Sequence, residues 1–297
     1  YPIPAQYNKD IVIASIAGSI FGATVADSLM LYIERQTIEC INFLLQGDLD
    51  ITWSHPRVTR RGIDFYRGGF TDNTVMILLT IRSLISKDGK FVDADLSRKI
   101  KFYFEEGLAE HQMNVCSTTH APSVSKIVRD PQFTSKPFEA AKKYWRMSGE
   151  TPSGNDALTR SLIPGCFLFW DETSLKEASH NICRVTHYDP RCAFASVCLS
   201  LLIARLIKFR CGEIPEVDLD LVIEDSIKSI ADLTPYMIAE IHKFTNIDEL
   251  SQLNLKNYSP LALQAIGCAL WVLKRNLKYT EGIEIILHAG GDVSTNS

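Results

Sequence analysis

The sequence predicts an all-α protein, folded as one compact helical bundle over residues 1–297. Three observations lead to this fold class. Most of the chain consists of stretches in which apolar residues recur at helical spacing, as in residues 75–86, where Arg82 is the single charge. No alternation of apolar and polar residues lasts long enough to indicate a sheet. No repeat of about 20–50 residues, low-complexity tract or shift in composition marks a domain boundary.

Helices are predicted wherever the helical spacing recurs. In chain order they cover residues 75–86, 96–110, 138–146, 158–170, 174–184, 190–208, 218–230, 235–244 and 260–275. Two of them have a clear start signal, because Asp189 precedes Pro190 and Ser259 precedes Pro260. A capping residue followed by proline is typical of the first turn of a helix.

The longest uncharged run, between Asp10 and Asp27, is rich in glycine, alanine and serine. It is shorter than the ~20 residues that a membrane span needs, and no cationic segment precedes it as in a secretion signal. The run between Arg191 and Arg205 is shorter still. We therefore expect two buried helices and no membrane partner.

Charge and cysteine content exclude two further classes of protein. The chain has 31 basic and 35 acidic residues, so no basic excess indicates nucleic-acid binding. None of its eight cysteines forms a CxxC pair, and several lie in apolar helical stretches, where a free cysteine behaves as a small buried hydrophobe. Reduced thiols predict a cytoplasmic or nuclear location.

Polar segments lie between the predicted helices, and loops on a helical scaffold are where chemistry is usually placed. These segments cover residues 48–70, 111–130, 151–156 and 290–297. The first is long, aromatic and basic, and the second carries His111 and His120, which lack metal-ligand spacing.

Two short clusters in these segments are rich in side-chain oxygen atoms. One reads Phe70-Thr71-Asp72-Asn73-Thr74, and the other reads Gly290-Gly291-Asp292-Val293-Ser294-Thr295. The simpler interpretation is that each is a helix cap, with Thr71 or Asp72 as the cap of the first and the second capping a helix that this chain no longer contains. Alternatively, the two clusters together offer hydroxyl, amide and carboxylate oxygens to one Mg²⁺ or Ca²⁺ ion.

The order of the motifs resembles that of the ADP-ribosylglycohydrolase family. The resemblance begins with Gly18, Gly22 and Asp27 and continues through the first oxygen-rich cluster. It then follows Ser153-Gly154-Asn155 with Arg160, Thr186-His187 and the second oxygen-rich cluster. It spans residues 11–297 and implies the all-α fold of that family. Because the family continues beyond its last motif, the resemblance implies either a truncated C-terminus or a protein that ends at this motif.

The resemblance assigns roles to individual residues. Glu34 falls on the acidic residue near the scissile ribose, and Asp72 and Asp292 fall on carboxylates of a two-magnesium site. The remaining positions of that metal site are Thr71, Asn73, Ser294 and Thr295. Ser153, Gly154 and Asn155 match the loop around ADP-ribose. His187 either contacts the ligand, as the family segment implies, or caps the helix at Pro190.

Three residues depart from the family pattern. Asn73 and Ser294 stand where the family has aspartate, so two of four carboxylates are lost. Two like charges ~4 Å apart repel by about 4 kcal/mol at an effective dielectric near 20, so four clustered carboxylates require their metals and two do not. We therefore expect one weakly held Mg²⁺ or none. Asp156 replaces a glycine and adds negative charge to the ligand loop, which argues against family-like affinity.

The resemblance implies hydrolysis of an ADP-ribosyl glycosidic bond by metal-assisted attack at the anomeric carbon. The expected partner is ADP-ribose or an ADP-ribosylated protein. Glu34, Asp72 and Asp292 favour this function. Asn73, Ser294 and Asp156 favour the alternative, a catalytically weak or inactive ADP-ribose binder or a crystallin-like structural relative.

Overall fold

The protein is described by a computed structural model over residues 3–30, 57–60, 63–66, 68–108, 122–151, 153–255, 261–291 and 293–296. Within these residues the fold is all-α, as predicted, apart from one short hairpin. The helices are α1 (Lys9–Met30), α2 (Asp72–Ser86), α3 (Asp93–Glu106), α4 (Pro122–Val128), α5 (Pro137–Met147), α6 (Leu158–Phe167), α7 (Glu172–Arg184), α8 (Pro190–Arg210), α9 (Leu219–Lys228), α10 (Pro235–Thr245), a 3₁₀ helix (Leu250–Leu253), α11 (Ala262–Lys274), α12 (Tyr279–Ala289) and α13 (Val293–Asn296).

The structure differs from the predicted elements in a few places. Strand β1 (Arg57–Arg60) pairs antiparallel with β2 (Ile63–Tyr66) inside a segment predicted as a loop. Strands of four residues are too short for alternation to be recognised in the sequence. The helix predicted over residues 96–110 runs instead over Asp93–Glu106, because Gly107 adopts a positive φ of 70° and ends it. Helices α4 and α12 were not predicted from the spacing.

Helix α8 forms the centre of the larger core. Its buried side chains pack against those of α6, α7, α9 and α11. Close approach to α6 depends on small residues, because a Cβ added to Gly165 would lie 2.5 Å from the carbonyl oxygen of Ser200. The hydroxyl of Ser200 on α8 donates a hydrogen bond to the carbonyl of Ser161, which lies on α6 like Gly165. A second core lies between α2, α3, α4 and α5.

The start of α8 confirms the signal read from the sequence. Asp189 is fully buried and caps the helix by accepting from the backbone N–H of Arg191 at 2.9 Å. The same carboxylate accepts from Nε1 of Trp145 on α5 at 3.0 Å. The second predicted start signal, Ser259 before Pro260, lies outside the described residues, and α11 begins at Ala262.

Helices α2, α6 and α8 run parallel. Leu84 and Ile85, late in α2, line one cavity together with Pro164 and Phe167, late in α6. Cys192, at the start of α8, contacts the carbonyl of Gly154 just before α6, whereas residues further along the two helices meet at Ser161 and Ser200. The three helix N-termini therefore lie at the same end of the bundle. The positive ends of their macrodipoles converge there.

Among the described residues, two helices are long and apolar enough to cross a membrane by length and composition alone, Lys9–Leu29 and Pro190–Arg210. The most apolar window of the second is 72% buried inside the bundle, whereas that of the first is 22% buried. The expectation of a buried helix is therefore confirmed for Pro190–Arg210 and wrong for Lys9–Leu29. Both helices extend beyond their uncharged runs and reach 21 residues.

Replacement of Gly165 by alanine tests the contact between α6 and α8. We expect Gly165→Ala to lower the free energy of unfolding by about 1–3 kcal/mol, because the methyl group would overlap the Ser200 carbonyl. Gly18→Ala in α1 is the matched control, since no described atom lies within 4 Å of its added Cβ. It should be neutral or stabilising by about 0.5–1 kcal/mol. Equal effects of both variants in urea denaturation would contradict the packing argument.

Candidate active site

A buried carboxylate fixes the first oxygen-rich cluster. Asp27, near the end of α1, is 2% exposed and accepts four hydrogen bonds from Thr71 and Thr74. Its Oδ1 accepts from the Thr71 hydroxyl at 2.6 Å, and its Oδ2 accepts from the Thr74 hydroxyl at 2.7 Å. The backbone N–H groups of both threonines also donate to Oδ2. Asp27 therefore ties the end of α1 to the start of α2.

Burial raises the pKa of Asp27 to about 6, since desolvation disfavours the charged carboxylate. The hydrogen bonds from Thr71 and Thr74 oppose this rise, and the nearby negative charge of Asp72 adds to it. Asp72 itself is half-buried at the first position of α2, where the helix macrodipole favours an anion. The cap of this helix is Thr71, whose Oγ1 accepts from the backbone N–H of Asn73 at 3.2 Å.

The two oxygen-rich clusters meet in space. Nδ2 of Asn73 donates to Oγ1 of Thr295 at 3.3 Å, across 222 positions of sequence. Thr295 lies on α13, which packs against both α1 and α11. Gly290 and Gly291 precede α13 with φ values of 79° and 88°, and the tight turn brings Gly291 against the Leu255 carbonyl. The two clusters are therefore in contact at Asn73 and Thr295, and their joint binding of a cation stays a prediction.

The donor set of the joined clusters fits a single hard cation better than two. Thr71 Oγ1 donates one hydrogen bond and accepts one, so one lone pair remains for a cation. Asn73 directs its amide N–H groups at Thr295, so only its Oδ1 can act as a ligand. Among the described residues no three acidic, histidine or cysteine side chains are grouped as a metal site. Asp72 contributes its carboxylate at the first position of α2, whereas Asp27 is enclosed by its threonine donors.

The loop of residues 153–155 lies at the start of α6 and α11. The Ser153 carbonyl accepts from the backbone N–H of Ala262 at 2.9 Å, and Gly154 forms a bridge with Leu261. Gly154 is closely packed, since an added Cβ would lie 3.1 Å from Oδ2 of Asp156 and 3.2 Å from Nε2 of His187. Ser153 and Asn155 are both buried.

His187 belongs to a buried chain of polar groups beside this loop. Its Nδ1 lies 2.8 Å from the Thr186 hydroxyl, which in turn accepts from the guanidinium of Arg160 at 2.5 Å. Its Nε2 lies 3.4 Å from Oδ2 of Asp156. His187 thus faces the 153–156 loop, as a ligand contact requires, and the cap of α8 is Asp189.

A sequence profile of the ADP-ribosylglycohydrolase family matches residues 8–297. The chain belongs to the ADP-ribosylglycohydrolase family. Its fold is similar to that of a solved structure of an ADP-ribosylglycohydrolase-related protein complex, with a TM-score of 0.61 and 16% identity over 97% of this chain and 84% of that one. At this identity the likeness shows the fold alone. No curated protein sequence matches the chain significantly.

Several of the residues that the resemblance assigned in this ADP-ribosylglycohydrolase family protein can be located. Thr71, Asp72, Asn73 and Thr295 lie together, and Ser153, Gly154, Asn155 and His187 form a second group. Glu34, Asp292 and the Ser294 side chain lie outside the described residues, so their roles stay predictions.

Sequence reasoning missed Asp27 as a site residue. The sequence feature that could have indicated Asp27 is its position as the acidic residue at the end of the longest uncharged run of the chain. A carboxylate at such a position must find hydrogen-bond donors when the helix is buried. Thr186 was noticed only as part of a motif, although it links Arg160 to His187.

Substitution of Asp27 tests its role as the anchor of the cluster. Asp27→Ala should lower the free energy of unfolding by about 3 kcal/mol or more, because it leaves buried donors of Thr71 and Thr74 without an acceptor. Asp27→Asn should cost about 1 kcal/mol, since its amide oxygen can replace Oδ2 and its NH₂ can donate to Thr71 Oγ1. Equal losses in chemical denaturation at neutral pH would show that the negative charge, rather than the hydrogen bonds, is what the site needs.

Proposed function

We propose that this protein hydrolyses an ADP-ribosyl glycosidic bond at the end of the bundle where α2, α6 and α8 begin. The observation that carries the proposal is the hydrogen bond between Asn73 and Thr295, because it joins two oxygen-rich clusters that are 222 positions apart. The family to which the chain belongs also supports a ligand that carries an ADP-ribosyl group. ADP-ribose, alone or attached to a protein, is the proposed partner.

The proposed roles of the residues follow from their chemistry. Asp72 places a carboxylate beside the ribose, where it opposes the positive charge that develops at the anomeric carbon. Glu34 or Asp292 accepts a proton from the attacking water as its oxygen bonds to that carbon. The bond to the leaving group breaks, and its electron pair leaves with that group. Ser153, Gly154, Asn155 and His187 bind and orient the nucleotide.

One Mg²⁺ ion is the proposed cofactor. Thr71, Asp72, the Oδ1 atom of Asn73 and Thr295 would hold it, with Asp292 and Ser294 as the further ligands that the resemblance implies. When bound, it would supply a Lewis acid that polarises a ribose hydroxyl or a water molecule. The loss of carboxylates at positions 73 and 294 predicts weak binding.

A second candidate function is ADP-ribose binding without hydrolysis. One observation favours it: Asn73 presents N–H donors to Thr295 at a place where a cation site requires acceptors. Hydrogen bonds and loop contacts to the nucleotide do not depend on the cation. Binding can therefore persist where cleavage is lost.

The remaining proposals concern the setting of the protein. We propose one domain over residues 1–297, without a nucleic-acid or membrane partner, in the cytoplasm or nucleus. In support, the described cysteines form no disulfide. Burial raises the pKa of Cys166, Cys198 and Cys268 to about 12, so these thiols are unreactive packing groups.

The assay for the proposed function is release of ADP-ribose from ADP-ribosylated arginine and serine peptides in the presence of Mg²⁺. Asp72→Asn should lower kcat/KM by at least about 100-fold, because it removes charge stabilisation of the transition state. Asp93→Asn is the matched control, since Asp93 also occupies the first position of a helix and is half-buried. It should leave kcat/KM unchanged.

The assay also separates the two candidate functions. Tight binding of ADP-ribose by the wild-type protein, with no release from any peptide, would favour the binder. If the wild-type protein neither binds ADP-ribose nor releases it from any peptide, both candidate functions are overturned. Equal losses in Asp72→Asn and Asp93→Asn would trace the effect to helix stability instead of chemistry.

The double variant Asn73→Asp with Ser294→Asp tests the interpretation of the metal site. We expect Mg²⁺ affinity to rise, since each added anion attracts a divalent cation. Without Mg²⁺ the variant should be less stable than the parent because clustered carboxylates repel, and Mg²⁺ should restore the loss by mass action. Thermal unfolding with and without Mg²⁺ measures both effects. An equally large Mg²⁺-dependent rise in Tm for the parent would contradict the interpretation.

A further inference from the structure

Arg160 is a fully buried cation whose direct partners among the described residues are uncharged. It is 1% exposed, and its guanidinium donates to the carbonyls of Ile182 and Cys183 and to the hydroxyl of Thr186. Burial lowers the pKa of Arg160, while the nearby Cys183 and Asp156 groups raise it. Arginine nevertheless stays charged in proteins, and within the described part of the chain Asp156 is the carboxylate that acts on this charge without touching it.

Thr186 and His187 connect this charge to the surface of the site. The Thr186 hydroxyl accepts from Arg160, and its own hydrogen can be donated to Nδ1 of His187, 2.8 Å away. In this arrangement the ring hydrogen of a neutral His187 lies on Nε2, which faces Asp156. Nε2 is buried and makes no hydrogen bond to any described residue, but it lies 3.4 Å from Oδ2 of Asp156.

Asp156 is the exposed end of this chain of groups. Its side chain is 30% exposed, whereas that of His187 is 5% exposed. The two side chains approach over the Cα of Gly154, which has no room for a Cβ. A ligand that enters the 153–156 loop therefore meets the carboxylate of Asp156 in front of the His187 N–H.

We propose that Asp156 is a specificity-determining residue that makes this loop select against phosphate groups. Its carboxylate balances the positive charge of Arg160, to which it is linked by the contacts through Thr186 and His187. It also occupies the position in which an anionic ligand would accept a hydrogen bond from the His187 N–H. The group that binds beside it is uncharged, such as a sugar hydroxyl, or cationic. The identity of the ligand in this inference rests on the proposed function. The charge argument is independent of the proposed function.

The test compares binding of inorganic pyrophosphate to the wild-type protein and to Asp156→Asn by calorimetry, in EDTA to exclude metal ions. Pyrophosphate affinity should rise by about tenfold or more, because the repulsive carboxylate is gone and the charge of Arg160 is no longer balanced. Affinity for adenosine, which is uncharged, should change less than about twofold. The Asp156→Ser variant retains an oxygen near the helix start and should show the same gain.

Asp218→Asn is the matched control, since it removes the same charge at the start of α9 and asparagine is an equally good cap. Its pyrophosphate affinity should equal that of the wild type. The proposal is overturned if neither Asp156 variant gains affinity, if Asp218→Asn gains as much, or if adenosine binding rises in parallel. Loss of stability without a gain in pyrophosphate affinity would show that Asp156 merely supports the start of α6, and would also overturn it.

The outcome is separable from that of the proposed function. Hydrolysis by the wild type combined with no gain in either Asp156 variant would refute this inference alone. A gain for pyrophosphate in a protein that neither binds nor cleaves ADP-ribose would support this inference and refute the proposed function.

Discussion

The candidate site depends on the buried carboxylate of Asp27. A charge at this depth is stable only when donors surround it, and the hydroxyl and backbone N–H groups of Thr71 and Thr74 provide them. These bonds fix the start of α2 against the end of α1, which sets the position of Asp72. They also hold Asn73 where it reaches Thr295 on α13. The positions of Asp72 and Asn73 at the surface of the site are thus set by the buried hydrogen bonds of Asp27 beneath them.

Charged groups at this end of the bundle are stabilised in two different ways. Asp189 is paired directly, since Arg191 donates two hydrogen bonds to its carboxylate at 2.9 and 2.8 Å. Asp27 and Arg160 are instead surrounded by uncharged donors or acceptors. A directly paired group offers little to a ligand, because its charge is already neutralised. A charge solvated by neutral groups is balanced only over a longer distance, as Arg160 is by Asp156.

The sequence predicted the bundle because long apolar stretches and the capping signal at Asp189 are local features. It overestimated the helix ending near residue 110, since the positive φ of Gly107 is not visible in composition. It brought Asn73 and Thr295 together through the shared oxygen-rich composition of their clusters and through the resemblance, because no local pattern encodes a contact across 222 positions. Asp27 and the Arg160–Thr186–His187 chain were missed as site features for the same reason: their partners lie on other helices.

The departures from the family pattern share one physical consequence. Where the resemblance implies carboxylates bridged by a metal ion, the amide of Asn73 bonds to Thr295 directly, so the two clusters are joined by a neutral hydrogen bond. Where the resemblance implies glycine, Asp156 supplies an anion beside His187. In both places a group of the protein stands where an external ion would otherwise balance the charge. In the proposed function both changes reduce the free energy that ion binding contributes, because an ion gains little at a site whose charge is already compensated.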